Sequence, residues 1–105
     1  MKKLITNWNN YPVVEAREIS FDYKKEIALK LAQSSIPHGI GRSYGDASLS
    51  SEVVNTLRYD KVLSFDELNG IITCQSGLLL PDLLQIIVPR GWFLPVTPGT
   101  KFITI

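Results

Sequence analysis

An α+β fold, a small mixed sheet with two helices, is predicted by three observations. Strand-like and helix-like stretches follow one another as β-α-β-loop-β-β-β-α-β, without the regular strand–helix alternation of a doubly wound sheet. The richest glycine segment lies between two strand-like stretches and opens no helix. The chain has 105 residues, enough for one small domain or part of one.

Pro12 to Ile19 carries valines and an isoleucine among charged residues and reads as extended. Ser20 or Asp22 can cap the helix that follows. In that helix Tyr23, Ile27 and Leu31 recur at i, i+4 and i+8, with Ala28 and Ala32 beside them, while Lys24, Lys25 and Lys30 face water. It ends near Ser34-Ser35, before Pro37. Ile36 to His38 is a short strand, and Val53 to Leu57 is another. Lys61 to Phe65 and Gly70 to Cys74 form a pair, with Asn69-Gly70 as a hairpin-turn dipeptide. Leu78 to Val88 is a helix with Pro81 in its first turn, where a missing N–H costs nothing, and Pro89 and Gly91 close it. A last strand ends at Ile105.

Composition narrows the function classes. Eleven basic residues against ten acidic give a net charge of +1, so there is no electrostatic footprint for nucleic acid or an anionic membrane. Met1 to Ile5 begins like the charged start of a signal peptide, but Thr6 to Asn10 follows instead of an apolar stretch. The longest apolar cluster, Leu78 to Val88, is interrupted by Pro81, Asp82 and Gln85, so no membrane segment is expected. The one cysteine, Cys74, cannot form an internal disulfide and reads as a packed thiol in an apolar strand. Cytoplasmic residence is the expectation. No metal site is expected either, because one histidine and one cysteine lack companions at ligand spacing.

The segment from His38 to Ser48 carries the most chemistry. Gly39, Gly41 and Gly45 fall within seven positions, with Arg42 and Ser43 between them. Glycine accepts positive φ and holds no side chain between backbone and ligand. Such a loop can gather several N–H groups around an anion. Arg42 adds a planar charged donor for phosphate oxygens, and Ser43 a short hydroxyl. The competing reading is a surface turn, since Gly, Ser and Asp dominate turns for conformational reasons. The spacing G-x-G-x-x-x-G differs from the dinucleotide fingerprint, and no Gly-Lys-Ser/Thr occurs. With no helix opening at Gly45, the helix dipole is unavailable to a phosphate here.

Other residues were weighed in the same way. His38, the only histidine, is either a general base or a structural residue at a strand end. Ser43, His38 and Asp46 crowd one loop without a nucleophile elbow, which excludes a hydrolase triad. Asp46 suits loop bracing as an Asx turn. Trp8, Trp92 and Phe93 read as core or lobe-interface residues.

Gly41-Arg42-Ser43-Tyr44-Gly45-Asp46 resembles the pyrophosphate loop of FAD-dependent oxidoreductases of the vanillyl-alcohol-oxidase, or PCMH, type. Gly91 to Ile105 is similar to that superfamily's Gly-x-x-Leu-Pro-x-x-Pro-Gly-Thr segment, which leads into Thr-Val/Ile-Gly-Gly on the flavin. Gln75-Ser76-Gly77 resembles a strand end of the same domain, in matching order and spacing. Asn7-Trp8-Asn9 resembles an element of the decaprenylphosphoryl-ribose oxidase-like group, whose cousins are aldonolactone and alditol oxidases.

The resemblance implies that residues 1–105 are the N-terminal portion of an FAD-binding domain. The rest of that domain and a substrate domain are absent from this sequence. It implies FAD held by Ile40, Gly41, Arg42, Ser43, Tyr44, Gly45, Pro98, Gly99, Thr100 and Thr104. Tyr44 either approaches the flavin ring or packs between lobes. The implied reaction is hydride transfer from the CH–OH carbon of a sugar or polyol to the flavin, which oxygen or another acceptor then reoxidises. The catalytic base is expected outside these residues. Several cousins attach flavin covalently through a histidine in this loop. Arg42 stands at that place here, so non-covalent FAD is expected. The 105 residues alone are expected to be inactive and to self-associate. Two rivals stand beside this reading: a non-catalytic interaction module with the same lobe fold, and another nucleotide- or phosphate-binding domain.

Overall fold

The computed structural model describes residues 2–30 and 34–105. Six strands and two helices follow in the order β1 (Lys2–Ile5), β2 (Val14–Ser20), α1 (Lys24–Lys30), β3 (Ile36–His38), β4 (Glu52–Asn55), β5 (Val62–Asp66), β6 (Ile71–Cys74) and α2 (Leu80–Ile87). This is the expected α+β arrangement, but the strands form two sheets instead of one. A four-stranded mixed sheet has the order β1-β2-β4-β3, and β5-β6 is a separate antiparallel hairpin.

In the larger sheet β4 is central. It pairs in parallel with β2 (Ile19 opposite Val54) and with β3 (His38 opposite Asn55). β3 is an edge strand, so Pro37 removes no hydrogen bond from the sheet interior. β1 runs antiparallel to β2, with Ile5 opposite Val14. Sequence reading missed β1 because only Ile5 of its four residues is buried, so no alternation betrays it. Ile5, Ala16 and Val53 form this sheet's core, with Val14, Ile36 and Leu49 packed against them. β4 ends where the Asn55 side-chain oxygen accepts the Leu57 N–H at 2.8 Å, a short Asx turn that stops the strand before Leu57.

The stripe expected on the first helix is only partly realised. Tyr23 is 67% exposed and Ile27 is half-buried. Leu31, Ala32 and the side chain of Ala28 lie outside what is described. The N–H groups of the two residues before the helix are met from within it: Glu26 accepts those of Asp22 (3.3 Å) and Tyr23 (3.1 Å). The Asp22 carboxylate instead takes Arg58 at 2.8 Å. Glu26 also pairs with Lys30 at 3.0 Å, and that bond holds its carboxyl below the ordinary glutamate value.

The second core joins α2 to the hairpin. Leu78, Leu80, Leu83 and Ile87 are buried against Val62, Phe65, Ile72, Cys74, Leu94 and Ile103. Cys74 is thus a half-buried packing thiol. The α2 helix continues into a single 3-10 turn, Val88–Arg90, and Gly91 ends it at φ +83°, with Trp92 N–H donating to Ile87 at 3.1 Å. The hairpin turn spans four residues. Asp66 accepts the N–H groups of Leu68 and Asn69 and the Asn69 amide, and Gly70 closes the turn at φ +67°. Trp92 lies over Gly70 and donates its indole N–H to the Glu67 carbonyl at 2.7 Å. Trp92 is therefore a cover for the hairpin turn, while Phe93 is 63% exposed and belongs to no core.

The expected last strand is reduced to one antiparallel bridge, Leu79 opposite Thr104. Leu80 N–H donates to Ile103 (2.9 Å) and Ile105 N–H to Leu78 (2.9 Å). Pairing cannot extend further along the partner because α2 begins at Leu80. The first of these bonds satisfies a helix N-terminal donor that no side chain caps. Among the described residues, no helix is long and apolar enough to cross a membrane.

Candidate functional site

The glycine segment forms the connection between parallel strands β3 and β4. It contains a turn at residues 45–48 and no helix. Gly41 (φ +74°) and Gly45 (φ +61°) adopt conformations that other residues resist. At Gly41 the constraint is double, because a Cβ there would stand 3.0 Å from the Thr6 carbonyl oxygen. The turn is closed by the Asp46 carbonyl accepting Leu49 N–H at 3.0 Å. The Asp46 side chain is exposed, so its expected Asx-turn role passes to the backbone.

Ten residues were expected to form the site, and nine of them line two adjoining cavities. The first, about 250 Å³, is lined by Ile40, Gly41, Arg42, Ser43 and Thr104, together with His38, Gly39, Ser48 and Ile103. The second, about 320 Å³, is lined by Arg42, Tyr44, Pro98, Gly99 and Thr100, together with Trp8 and Ile103. Arg42 and Ile103 border both. Gly45 lines neither; it shapes the loop, with open space where its Cβ would be.

Thr104 reaches this place through the bridge to Leu79. Its side chain closes on Gly39 so tightly that a Cβ at Gly39 would lie 2.7 Å from the Thr104 hydroxyl. The absent side chain at Gly39 thus lets the C-terminal segment meet the loop.

His38 is buried, and its Nδ1 lies 2.8 Å from the Ser48 carbonyl. A carbonyl only accepts, so Nδ1 carries a proton and donates it. That bond ties the start of the loop to its end, which is the structural alternative for this residue.

The Ser43 hydroxyl is buried and has no hydrogen-bond partner among the described residues. Buried hydroxyls are normally satisfied, and an orphan beside a cavity marks a place where a polar ligand group completes the set. Arg42 is exposed, with one guanidinium nitrogen 3.3 Å from the Ile40 carbonyl, leaving its other donors available to the cavities it borders. Tyr44 is 78% exposed at the second cavity, and Trp8 is half-exposed opposite it, outside the core.

One residue of the site is named from the sequence only within the Asn7-Trp8-Asn9 element, with no role of its own. Asn7 is buried between the N-terminal segment and the loop, and it donates to the carbonyl of Gly45. The asparagines at 7, 9 and 10 signal turn chemistry, but a bond spanning 38 residues has no local signature.

Similar proteins match about half to two thirds of this chain. It is 31% identical over 72 residues to a decaprenylphosphoryl-β-D-ribose oxidase of Mycolicibacterium smegmatis, which covers 67% of this chain and 16% of that protein. It is 35% identical over 49 residues to a mitochondrial D-2-hydroxyglutarate dehydrogenase of Arabidopsis thaliana, covering 47% and 9%. It is 37% identical over 62 residues to a D-lactate dehydrogenase of Anaerostipes hadrus, covering 58% and 13%. The chain therefore spans less than a fifth of the length of each relative. The model of the FAD binding domain matches residues 26–105, from within α1 to the C-terminal segment that lines both cavities, and the chain belongs to that FAD-binding family.

Proposed function

We propose that residues 1–105 form the first portion of the FAD-binding domain of an oxidoreductase, with the diphosphate of FAD in the cavity under Gly41 to Gly45. The observation that carries this reading is the orphaned Ser43 hydroxyl, buried in a loop with left-handed glycines at both ends. A diphosphate oxygen is the acceptor that this hydroxyl lacks, and Arg42 supplies a charge-assisted donor beside it. Pro98, Gly99 and Thr100 line the neighbouring cavity with Tyr44, where a planar part of the cofactor fits between apolar walls. Bound there, FAD supplies the hydride-accepting ring for oxidation of a CH–OH carbon. The work of this chain is to hold and orient.

The names of the relatives support a hydroxylated substrate carbon, since ribose, 2-hydroxyglutarate and lactate all carry one. We favour a sugar or polyol, in line with the ribose oxidase. A 2-hydroxy acid is the second reading, favoured by the two dehydrogenases. The residues that choose between them, and the base that takes the hydroxyl proton, lie outside the described site. Residues 1–105 expressed alone should bind FAD weakly, show no turnover and associate through exposed Phe93, Val96, Phe102 and Ile105.

A visible absorption scan of the purified full-length protein, followed by FAD titration, tests the reading. Flavin bands at one equivalent per chain support it. A colourless protein that takes up no added FAD overturns it.

A further inference from the structure

Asn7 has no place among the candidate ligand contacts, yet its amide is fully committed. Its residue is 2% exposed. Nδ2 donates to the Tyr11 carbonyl at 2.7 Å and to the Gly45 carbonyl. Oδ1 accepts the N–H groups of Asn9 (2.9 Å) and Tyr11 (3.2 Å). Both donors and both lone pairs are used. Next to it, Trp8 N–H donates to the Ser43 carbonyl at 3.0 Å.

These bonds have a directional consequence. A trans peptide plane holds its C=O and the following N–H antiparallel. Anchoring the carbonyls of Ser43 and Gly45 on the N-terminal segment therefore turns the N–H groups of Tyr44 and Asp46 away from it. Packing does not enforce this at Gly45, where no atom lies within 4 Å of the position a Cβ would take. A free glycine there would sample other orientations. The side-chain amide of Asn7 supplies the restraint that packing leaves out.

We propose that Asn7 is a positioning residue for diphosphate recognition: together with the Trp8 N–H it pins the far end of the glycine loop to the N-terminal segment, and so holds Arg42 and Ser43 at the cavity where the anion binds. This rests on the FAD reading above and adds a residue from outside the loop. Substituting Asn7→Asp keeps the shape and the acceptor oxygen but replaces the amide donor with a carboxylate facing two carbonyls. When that carboxyl is protonated, its O–H restores one donated bond. Burial and the carbonyls both favour the neutral acid, so protonation begins above the ordinary aspartate range.

The test is FAD affinity of the full-length protein, read by flavin fluorescence, with hydrogen exchange at Arg42 and Ser43. The expected result for Asn7→Asp is affinity about tenfold weaker than wild type near pH 8, with most of that difference from wild type lost when both proteins are measured near pH 5. Wild-type affinity at both pH values, or an equal loss at both, overturns the proposal. If the variant does not fold, exchange in the wild type decides. FAD must slow the Arg42 and Ser43 amides, and unchanged exchange on saturation overturns the proposal. A wild-type protein that binds no FAD overturns the flavin reading itself, and this inference with it.

Discussion

Substituting Gly77→Ala should be among the most damaging single changes in this chain. Gly77 sits where the end of β4 meets the hairpin. An added Cβ would lie 2.6 Å from both the Thr56 carbonyl carbon and the Tyr59 carbonyl oxygen, and closer still to the Thr56 oxygen. All three neighbours are backbone atoms, so no side chain can rotate aside. Ordinary contact begins at 3.4 Å. The Tyr59 oxygen would have to recede by about 0.8 Å, stretching its 2.7 Å bond from Gly77 N–H past the hydrogen-bonding range. The neighbouring bonds Tyr59 N–H to Thr56 (2.9 Å) and Gln75 N–H to Lys61 (2.8 Å) share the strained segment. Three bonds at about 1 kcal/mol each, with an overpacking cost of about 1–3 kcal/mol, give a loss of roughly 4 kcal/mol or more. A domain of this size has about 5–15 kcal/mol in total. Urea unfolding followed by tryptophan emission measures it, with Trp8 reporting beside the loop and Trp92 on the hairpin. Gly99→Ala is the control. Its Cβ meets nothing within 4 Å, and its stability should stay within about 0.5 kcal/mol of wild type. A Gly77→Ala protein destabilised by less than about 1 kcal/mol would refute the reasoning, because the backbone would then have yielded at little cost.

Three further outcomes are expected. Gly41→Val, at φ +74° and against the Thr6 carbonyl, should abolish flavin retention in the full-length protein while the far-ultraviolet circular dichroism persists; stoichiometric FAD at wild-type affinity would contradict the site. Acid precipitation should leave the flavin in the supernatant, because Arg42 cannot make a ring attachment, and a yellow pellet would show attachment through another residue. Finally, the side-chain hydrogen bond from Asn69, with the backbone N–H groups of Asn69 and Leu68, holds the Asp66 carboxyl below the ordinary aspartate value. A lowered folded-state value adds stability above the unfolded value, and that stability is lost as pH falls through the folded one. Trp92 emission should therefore report hairpin loosening in acid, and Asp66→Asn should remove that part of the pH dependence. An identical acid profile in the variant would sink the assignment.

The parts legible in sequence were those written in local chemistry. Pro81, Pro89 and Gly91 bound α2 because ring closure and left-handed φ act within one turn. The glycine loop was visible for the same reason. The hairpin turn was placed at Asn69-Gly70, but Asp66 organises it from three residues upstream, making a four-residue connection. What escaped was decided at long range. β1 lacks a buried alternating face, so only its pairing with β2 defines it. The close approach of Gly77 to Thr56 and Tyr59, which joins the end of β4 to the hairpin, has no local signature either. Trp8, Trp92 and Phe93 read as core or lobe-interface residues because they are large and apolar; the buried members of the two cores are aliphatic, so it is the core alternative that falls.

The bonds from Asn7 and Trp8 to the loop bear on where this domain begins. The family match starts at residue 26, inside α1, yet the segment before it supplies β1 and β2. β2 covers one flank of β4, and Ala16 and Ile5 make up two-thirds of the three-residue core beside Val53. A polypeptide trimmed to the matched residues would bare that flank as an open edge, inviting strand addition from another molecule. It would also release the glycine loop from its anchor. The recognisable motif is shorter than the stretch that packs with it, and expression boundaries should include the residues before it.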